Sequence, residues 1–277
     1  MRFISYASGT DEGVAIKSPE GYRGRPVAEL GGDLKSHLMD LPGLAKNLDD
    51  APLLADFRYL PPIQRPDKIL CIGLNYAAHS AESGFEVPGY PTVFARFANS
   101  LVGHGAPLVR PNASDLLDYE CELAVVIGAG GRHIDEADAL AHVAGYSLFN
   151  DGSVRDFQMK SPQWTMGKTF DDTGAFGPEL VTPDELPVGC TGLGIRTVLN
   201  GDVLQQANTA DLIFGVANLV ATLSEAMTLE PGDVIVTGTP DGVGALRDPQ
   251  IWMKPGDECR IEIDRIGALV NPVVQES

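Results

Sequence analysis

The pattern of apolar and polar positions predicts a protein built mainly from short strands. Strand-like runs cover residues 68–73, 92–95, 119–128, 145–149, 195–199, 233–237 and 258–263. One segment, Thr209 to Thr228, has helical spacing instead, with Thr209 or Asp211 as the expected cap. The pair Pro231-Gly232 is expected to end it in a turn. Since helices do not alternate regularly with strands, we predict an α+β, mainly β fold rather than a doubly wound parallel sheet.

The first 65 residues differ in organisation from the rest of the chain. Short strand-like pieces, Phe3–Tyr6 and Val14–Ile16, precede a helical stretch around Leu34–Met39. A proline-rich run, Pro61-Pro62-Ile63-Gln64-Arg65-Pro66, then favours extended backbone. We therefore predict a small N-terminal α+β domain over residues 1–65 and a larger domain over residues 66–277.

The amino-acid composition limits the kinds of partner that we expect the protein to bind. The chain has 277 residues, of which 44% are hydrophobic, and 38 acidic against 20 basic side chains give a formal charge of −18. Such a charge argues against nucleic acid and anionic membranes as partners. The start lacks a long apolar stretch, and the four cysteines form no CxxC pair that would indicate a zinc or redox site. We expect a protein of the reducing cytoplasm.

Three carboxylates are the first candidates for chemistry. Glu120 and Glu122 stand two residues apart in a strand-like run, so both would point to one face. Asp151 ends another apolar run and enters a loop. Because neighbouring carboxylates repel, a divalent cation such as Mg²⁺ or Mn²⁺ would stabilise them. The alternatives are a solvated strand face for the glutamates and a turn with a helix cap for Asp151.

A second group of residues offers acid–base chemistry and positive charge. His79 and Glu82 are three residues apart in a short predicted helix, where a carboxylate would orient an imidazole as a general base. Lys168 would balance the charge that one divalent ion leaves on three carboxylates. An exposed helix and a surface lysine are the alternatives.

Other candidates are suited to holding a substrate. Arg155 and Gln158 follow Asp151 closely, and arginine suits a substrate carboxylate. Thr239 lies in a glycine-rich loop after a buried strand and offers a hydroxyl group, although a tight turn or a solvated helix explains these residues equally well. The chain lacks the P-loop, dinucleotide-binding and nucleophile-elbow motifs.

Taken together, these motifs resemble the fumarylacetoacetate hydrolase family over roughly residues 66–275. The resemblance rests on five ordered motifs: Gly73-x-Asn75-Tyr76-x-x-His79, Asp118-Tyr119-Glu120-x-Glu122-Leu123, Phe149-Asn150-Asp151, Gly167-Lys168-x-x-Asp171, and the run from Pro231 to Gly244. It implies a mixed β-sandwich roll and a homodimer. One departure is Arg96, where family members often have lysine; arginine keeps the charge but changes the geometry.

The resemblance also implies roles for individual residues. It implies that Mg²⁺ or Mn²⁺ binds Glu120, Glu122 and Asp151, and that His79 and Glu82 activate water on a mobile lid helix. Lys168 would take part in catalysis. The expected substrate contacts are Tyr76, Arg155, Gln158 and Thr239.

The reaction expected from the resemblance is hydrolysis of a C–C bond in a small 2,4-dioxo acid of the acylpyruvate or fumarylpyruvate type, giving pyruvate and a carboxylic acid. Decarboxylation of a β-keto acid such as oxaloacetate, or isomerisation of a hydroxymuconate-type diacid, would use the same enolate. A metal-dependent binding module for small ligands is the alternative outside enzymes.

Overall fold

The computed structural model describes residues 1–82 and 88–277, with the backbone alone for residues 79–81. Its strands are β1 Arg2–Ser8, β2 Asp11–Ser18, β3 Gly21–Pro26, β4 Arg58–Leu60, β5 Ile69–Gly73, β6 Thr92–Arg96, β7 Leu101–Val102, β8 Leu108–Arg110, β9 Leu117–Asp118, β10 Cys121–Ile127, β11 Val143–Asn150, β12 Ser153–Val154, β13 Gly174–Val181, β14 Gly194–Leu199, β15 Asp202–Asn208, β16 Val234–Val236, β17 Glu258–Ile263 and β18 Gly267–Gln275. The α-helices are α1 Val27–Leu30, α2 Leu41–Leu48, α3 Ala77–Glu82, α4 Arg155–Gln158, α5 Thr165–Lys168 and α6 Val216–Ala226. Short 3-10 helices cover Lys35–Asp40, Ala98–Ser100, Ala139–His142, Pro183–Glu185, Val188–Cys190, Thr209–Asp211 and Gly244–Leu246.

Two sheets carry the fold. The larger sheet has the order β3-β2-β1-β13-β11-β10-β16-β5-β6, with β4 on β1 and β7 on β13. The smaller has the order β15-β14-β17-β18-β8. Most pairs are antiparallel, whereas β5 with β16, β7 with β13 and β8 with β18 are parallel. This mixed topology confirms the predicted mainly β fold.

The core explains why β10 and β11 are apolar along their length. Every residue of both strands is buried. Val125 and Leu148 from the larger sheet share one apolar cluster with Ile261 and Leu269 from the smaller sheet. Since side chains alternate between the two faces of a strand, the other face of the larger sheet needs its own cover. A second apolar cluster lies there, and it contains Phe3 of β1 and Leu44 of α2 from the N-terminal region.

The N-terminal residues extend the larger sheet. Strand β1 pairs antiparallel with β13, placing Arg2 opposite Val181 and Phe3 opposite Leu180. The segment 61–68 contains neither helix nor strand. The division into domains at residue 65 stays a prediction. The predicted helix around Leu34–Met39 is a 3-10 helix, and α2, which directly follows it, was not expected.

The prediction of a long helix from Thr209 to Thr228 is wrong at the start of the helix. The α-helix covers only Val216–Ala226, with Gly215 as its cap in place of Thr209 or Asp211, and Thr209–Asp211 forms a separate 3-10 helix. Residues before Gly215 make other hydrogen bonds: Asn75 holds the Phe214 N–H through its side-chain oxygen at 2.8 Å and the Ile213 N–H through its carbonyl oxygen at 2.8 Å. Tertiary pairing therefore replaces the first turns of the helix that the apolar spacing predicts.

Candidate metal centre and active site

The antiparallel pairing of β10 and β11 brings the three carboxylates together. Cys121 pairs with Asn150, so the start of β10 lies beside the end of β11. Glu120 directly precedes β10 rather than lying within it, and its carbonyl oxygen accepts the Asp151 N–H at 3.0 Å. Glu120, Glu122 and Asp151 are all buried, and one ligand atom of each lies within 4.8 Å of the others. The structure thus brings together the predicted ligand set.

The backbone of Gly238, in the loop after β16, is a hydrogen-bond donor to Glu122. The Gly238 N–H donates a short hydrogen bond to Glu122 Oε2. Gly238 has a φ of +102°, and a Cβ there would lie 2.8 Å from the Cβ of Asn75. A side chain at this position would therefore be strained and crowded. The loop after β16 supplies a backbone donor to a buried carboxylate.

Lys168 bridges two of the three carboxylates. Its Nζ donates to Glu120 Oε2 at 2.7 Å and to Asp151 Oδ2 at 2.6 Å, and the side chain is 2% exposed. Burial lowers the pKa of Lys168, but the charges of Asp151 and Glu120 outweigh burial, so the pKa lies above that of an ordinary lysine. Lys168 is therefore a fixed cation at neutral pH.

Arg96 is a site residue to which sequence reasoning gave no role. Its guanidinium is buried and donates to Asp151 Oδ1 at 2.5 Å and to the Gly152 carbonyl at 3.0 Å. Further bonds reach Thr173 Oγ1 at 2.9 Å and Ser100 Oγ at 3.2 Å. The signal in the sequence was an arginine at the end of an apolar strand. Its four partners explain why the arginine fork fits this position.

Arg155 contacts protein carboxylates rather than standing free for a substrate. Its Nε donates to Asp118 Oδ2 at 2.8 Å, and its Nη1 donates to Gln158 Oε1 at 2.9 Å. Its Nη2 forms an ion pair with Glu120 Oε1 at 2.7 Å. Arg155 thus positions Glu120, which the sequence did not predict.

Asp118 was noted only as part of a motif. It is fully buried, and besides Arg155 it accepts the backbone N–H groups of Gly244 and Ala245 at 2.8 and 2.9 Å. One carboxylate therefore links Arg155 to the loop after β16. That link fixes the loop relative to the three acidic ligands.

The balance of charge favours a cation at the acidic triad. Burial raises the pKa of Glu122 well above that of an ordinary glutamate, and the charges of Asp151 and Glu120 raise it further, against the opposing effects of Lys168 and Gly238. A divalent ion would supply the missing positive charge. The three carboxylates offer the hard oxygen ligands that Mg²⁺ or Mn²⁺ prefers, gathered in one buried place. The donor set therefore fits such an ion.

A cavity of about 250 Å³ opens onto this cluster. Its lining includes Glu120, Glu122, Lys168, Arg155, Gln158 and Thr239. Thr239 Oγ1 accepts a hydrogen bond from Gln205 Nε2 at 2.8 Å. The predicted residues Arg155, Gln158, Lys168 and Thr239 therefore share one cavity with Glu120 and Glu122, and their roles towards a substrate stay predictions.

The role predicted for Tyr76 towards a substrate stays a prediction. Its side chain is buried, and it does not belong to the described lining of the cavity. Its backbone forms a bridge with Leu212 instead.

The predicted base lies partly outside the described residues. His79 belongs to α3, but its side chain is not among those described. Glu82, at the end of α3, accepts the Gly242 N–H at 3.0 Å. Gly242 directly precedes Val243, which lines the cavity. Helix α3 is thus linked to the cavity loop, and the dyad stays a prediction.

Known proteins share this arrangement of sequence and fold. The family described as fumarylacetoacetate (FAA) hydrolase C-terminal matches residues 68–274. The chain belongs to the fumarylacetoacetate hydrolase family. The mitochondrial oxaloacetate tautomerase of Xenopus laevis is 48% identical over 217 residues, which cover 78% of this chain and 68% of the relative.

Solved structures agree with the family assignment. A fumarylacetoacetate hydrolase from Exiguobacterium antarcticum is 32% identical, with a TM-score of 0.87 over 100% of both chains. A maleylpyruvate hydrolase from a Sphingobium species, in complex with manganese(II) and pyruvate, is 28% identical, with a TM-score of 0.81 over 100% of both chains. The predicted family and fold are confirmed. The family comprises enzymes that act on small dioxo acids.

The expected location in the cytoplasm stays a prediction. Among the described residues, no helix combines the length and apolar character that crossing a membrane requires. The Xenopus laevis relative carries the word mitochondrial in its name, which does not support a cytoplasmic location.

Proposed function

We propose that this protein forms the enolate of a small 2-oxo acid and thereby interconverts the keto and enol forms of an oxaloacetate-type substrate. The observation that carries this proposal is the buried acidic triad, of which Glu120 and Glu122 line one cavity together with Lys168 and Arg155. The 48% identity to a relative named oxaloacetate tautomerase supports the choice of reaction.

The chain's own charges suit a substrate that gains negative charge. Tautomerisation moves one proton between C3 and the oxygen on C2, and negative charge spreads over that oxygen on the way. Lys168 lines the cavity as a fixed cation and would stabilise this charge. Mg²⁺ or Mn²⁺ held by Glu120, Glu122 and Asp151 would supply Lewis-acid stabilisation of the same charge.

Counting charges supports an anionic substrate. The inner cluster contains four carboxylates, those of Asp118, Glu120, Glu122 and Asp151, and three cations, those of Arg96, Arg155 and Lys168. With all four carboxylates ionised, one negative charge is left over, and a bound divalent ion would change this to one positive charge. A substrate carboxylate would then be attracted to the site.

Hydrolysis of an acylpyruvate is the second candidate. It is favoured by the contact between Glu82 and the Gly242 N–H, which joins the helix of the predicted His79–Glu82 base to the cavity. It is also favoured by the likeness to the maleylpyruvate hydrolase structure that contains manganese(II) and pyruvate. This reaction needs an activated water molecule, whereas tautomerisation does not.

One panel of assays separates the candidates. Enol-oxaloacetate, acetylpyruvate and fumarylpyruvate are offered with Mg²⁺, Mn²⁺ or EDTA. Metal-dependent loss of the enol without release of CO₂ or a second acid supports tautomerisation. Release of CO₂ indicates decarboxylation, and pyruvate with a second acid indicates hydrolysis. Turnover that is unchanged by EDTA, or no turnover of any of these acids, would contradict the proposal.

A separate experiment tests the predicted His79–Glu82 base. We expect His79→Ala to abolish hydrolysis of acylpyruvates while metal binding survives, with calorimetry as the check. Full hydrolysis by this variant would refute the dyad. Homodimer formation is likewise proposed, and sedimentation of the purified chain tests it.

A further inference from the structure

The cavity has two chemically different ends. Glu120, Glu122, Arg155 and Lys168 form the charged end. The other lining side chains are mainly apolar: Ile72, Leu74, Phe94, Met159, Trp164 and Leu246. A two-carbon or three-carbon acid bound at the charged end would leave the apolar end without a partner. The apolar side chains therefore need an explanation of their own.

The apolar end is a built surface. The six-membered ring of Trp164 lies so close to Gly73 that a Cβ on Gly73 would be 2.3 Å from Trp164 Cζ3. Phe94 packs edge-to-face against Trp164 with ring centroids 5.4 Å apart. Trp164 is thus packed between Gly73 and Phe94, and the two rings, Phe94 and Trp164, form a rigid aromatic wall. The absence of a side chain at position 73 creates the space for it.

Phe94 connects the two ends. Lys168 Nζ lies 5.2 Å from the centroid of the Phe94 ring, while the same ring contacts Trp164. The order from the acidic triad outward is thus Lys168, Phe94, Trp164. A substrate whose head group contacts Lys168 would direct its remaining atoms along this aromatic wall.

Apolar side chains also lie at the mouth of the cavity. Met159 and Leu246 line the cavity and are 71% and 44% exposed. Exposed large apolar side chains beside a cavity mark a surface that gains from being covered. Met159 directly follows α4, which ends at Gln158, so the apolar rim and the charged end are part of one continuous segment.

A charged substrate arm would find little compensation at this end. Among the described lining residues the cations are Arg155 and Lys168. Both are paired with carboxylates of the charged end. A second carboxylate placed against Phe94 and Trp164 would lose hydration without gaining a cation. The lining therefore discriminates against diacids that extend along the wall.

We infer that the aromatic wall is a binding subsite for an apolar arm, so that the site also accepts 2-oxo monocarboxylic acids with an aliphatic or aromatic substituent and prefers them to diacids of the same length. This inference rests on the proposed function, because it assumes that the 2-oxo acid head binds at the triad. It assigns Phe94, Trp164, Met159 and Leu246 to specificity. Oxaloacetate would use the charged end alone.

A pair of ligands with matched shapes tests the subsite. In 5-methyl-2-oxohexanoate an isopropyl group replaces the distal carboxylate of 2-oxoglutarate. Binding of each is measured by calorimetry with Mg²⁺ present. We expect the isopropyl compound to bind at least about tenfold more tightly, since each of its two methyl groups contributes about fourfold when buried. Its heat-capacity change should also be the more negative, the mark of apolar burial.

A charge added at the rim tests the assigned residues. Met159→Lys should strengthen 2-oxoglutarate binding by about twofold to fivefold, the effect of an exposed ion pair. It should weaken binding of the isopropyl compound. The matched control is Met39→Lys, because Met39 is 78% exposed and lies in an N-terminal 3-10 helix. The control should leave both affinities unchanged.

The outcomes separate the two proposals. If 2-oxoglutarate binds as tightly as the isopropyl compound, or if Met159→Lys acts no differently from its control, the apolar subsite is refuted while the 2-oxo acid function stands. If neither compound binds with Mg²⁺ or Mn²⁺, the proposed function fails and this inference fails with it.

Discussion

Replacing Lys168 with methionine tests the electrostatic reasoning most directly. The variant keeps the apolar stem and removes an ammonium that donates to Glu120 Oε2 at 2.7 Å and to Asp151 Oδ2 at 2.6 Å. All three side chains are buried. The metal-free variant therefore retains buried carboxylates that have lost their shared cation.

The size of the effect follows from this burial. Removing one partner of a buried ion pair typically costs about 3–5 kcal/mol. For a chain of this size, each kcal/mol lowers the melting temperature by about 2–4 °C, so we expect a decrease on the order of 10 °C. Lys168 lowers the raised pKa of Glu122, so the variant should raise that pKa further. An acid whose pKa is raised by folding favours the folded state at low pH and loses this contribution as pH rises. The deficit should therefore be larger at pH 8 than at pH 5.

Thermal unfolding followed by circular dichroism, with EDTA and then with Mg²⁺ or Mn²⁺, measures these changes. Metal should recover more stability in Lys168→Met than in the parent protein, because the ion replaces the lost charge, while turnover should fall. Lys254→Met is the control, since Lys254 is exposed and outside the cavity lining. A variant as stable as the parent in EDTA, with the same response to metal, would refute the role given to Lys168.

Three further predictions concern the neighbours of the triad. Arg96→Lys should lower the free energy of unfolding by about 1–3 kcal/mol and weaken metal binding, because lysine cannot reproduce the hydrogen bonds to Asp151, Gly152, Thr173 and Ser100. An unchanged free energy of unfolding in urea and an unchanged metal affinity by calorimetry would contradict this prediction. Asp118→Asn should lower turnover more than metal affinity, since Asp118 holds Arg155 and the loop N–H groups rather than the ion, and equal losses in both would show that reasoning to be wrong. Metal binding should release protons and weaken as pH falls, because the raised pKa of Glu122 favours its protonated form. Calorimetry in buffers of different ionisation enthalpy measures the protons released. A heat of metal binding that is the same in every buffer would exclude this prediction.

Local sequence patterns identified the three carboxylates as candidates. Glu120 and Glu122 stand two residues apart in an apolar run and Asp151 ends another, a pattern that strand periodicity makes visible. The family resemblance, rather than spacing, implied that one ion binds all three. The prediction was less accurate where distant residues compete with local preference. Asn75 binds the backbone at Phe214, 139 residues away, and thereby removes the first turns of the predicted helix.

Periodicity, ordered motifs and charge thus established the mainly β fold, the family and the acidic triad, because each is written in short stretches of the chain. The tertiary structure alone decided which charges share a buried space. Arg96 reaches Asp151 across 55 positions, and Asp118 reaches the Gly244 N–H across 126. It also placed Trp164 on Gly73 and so created the aromatic wall. Such contacts depend on how sheets and loops pack, and spacing along the chain carries no record of that packing.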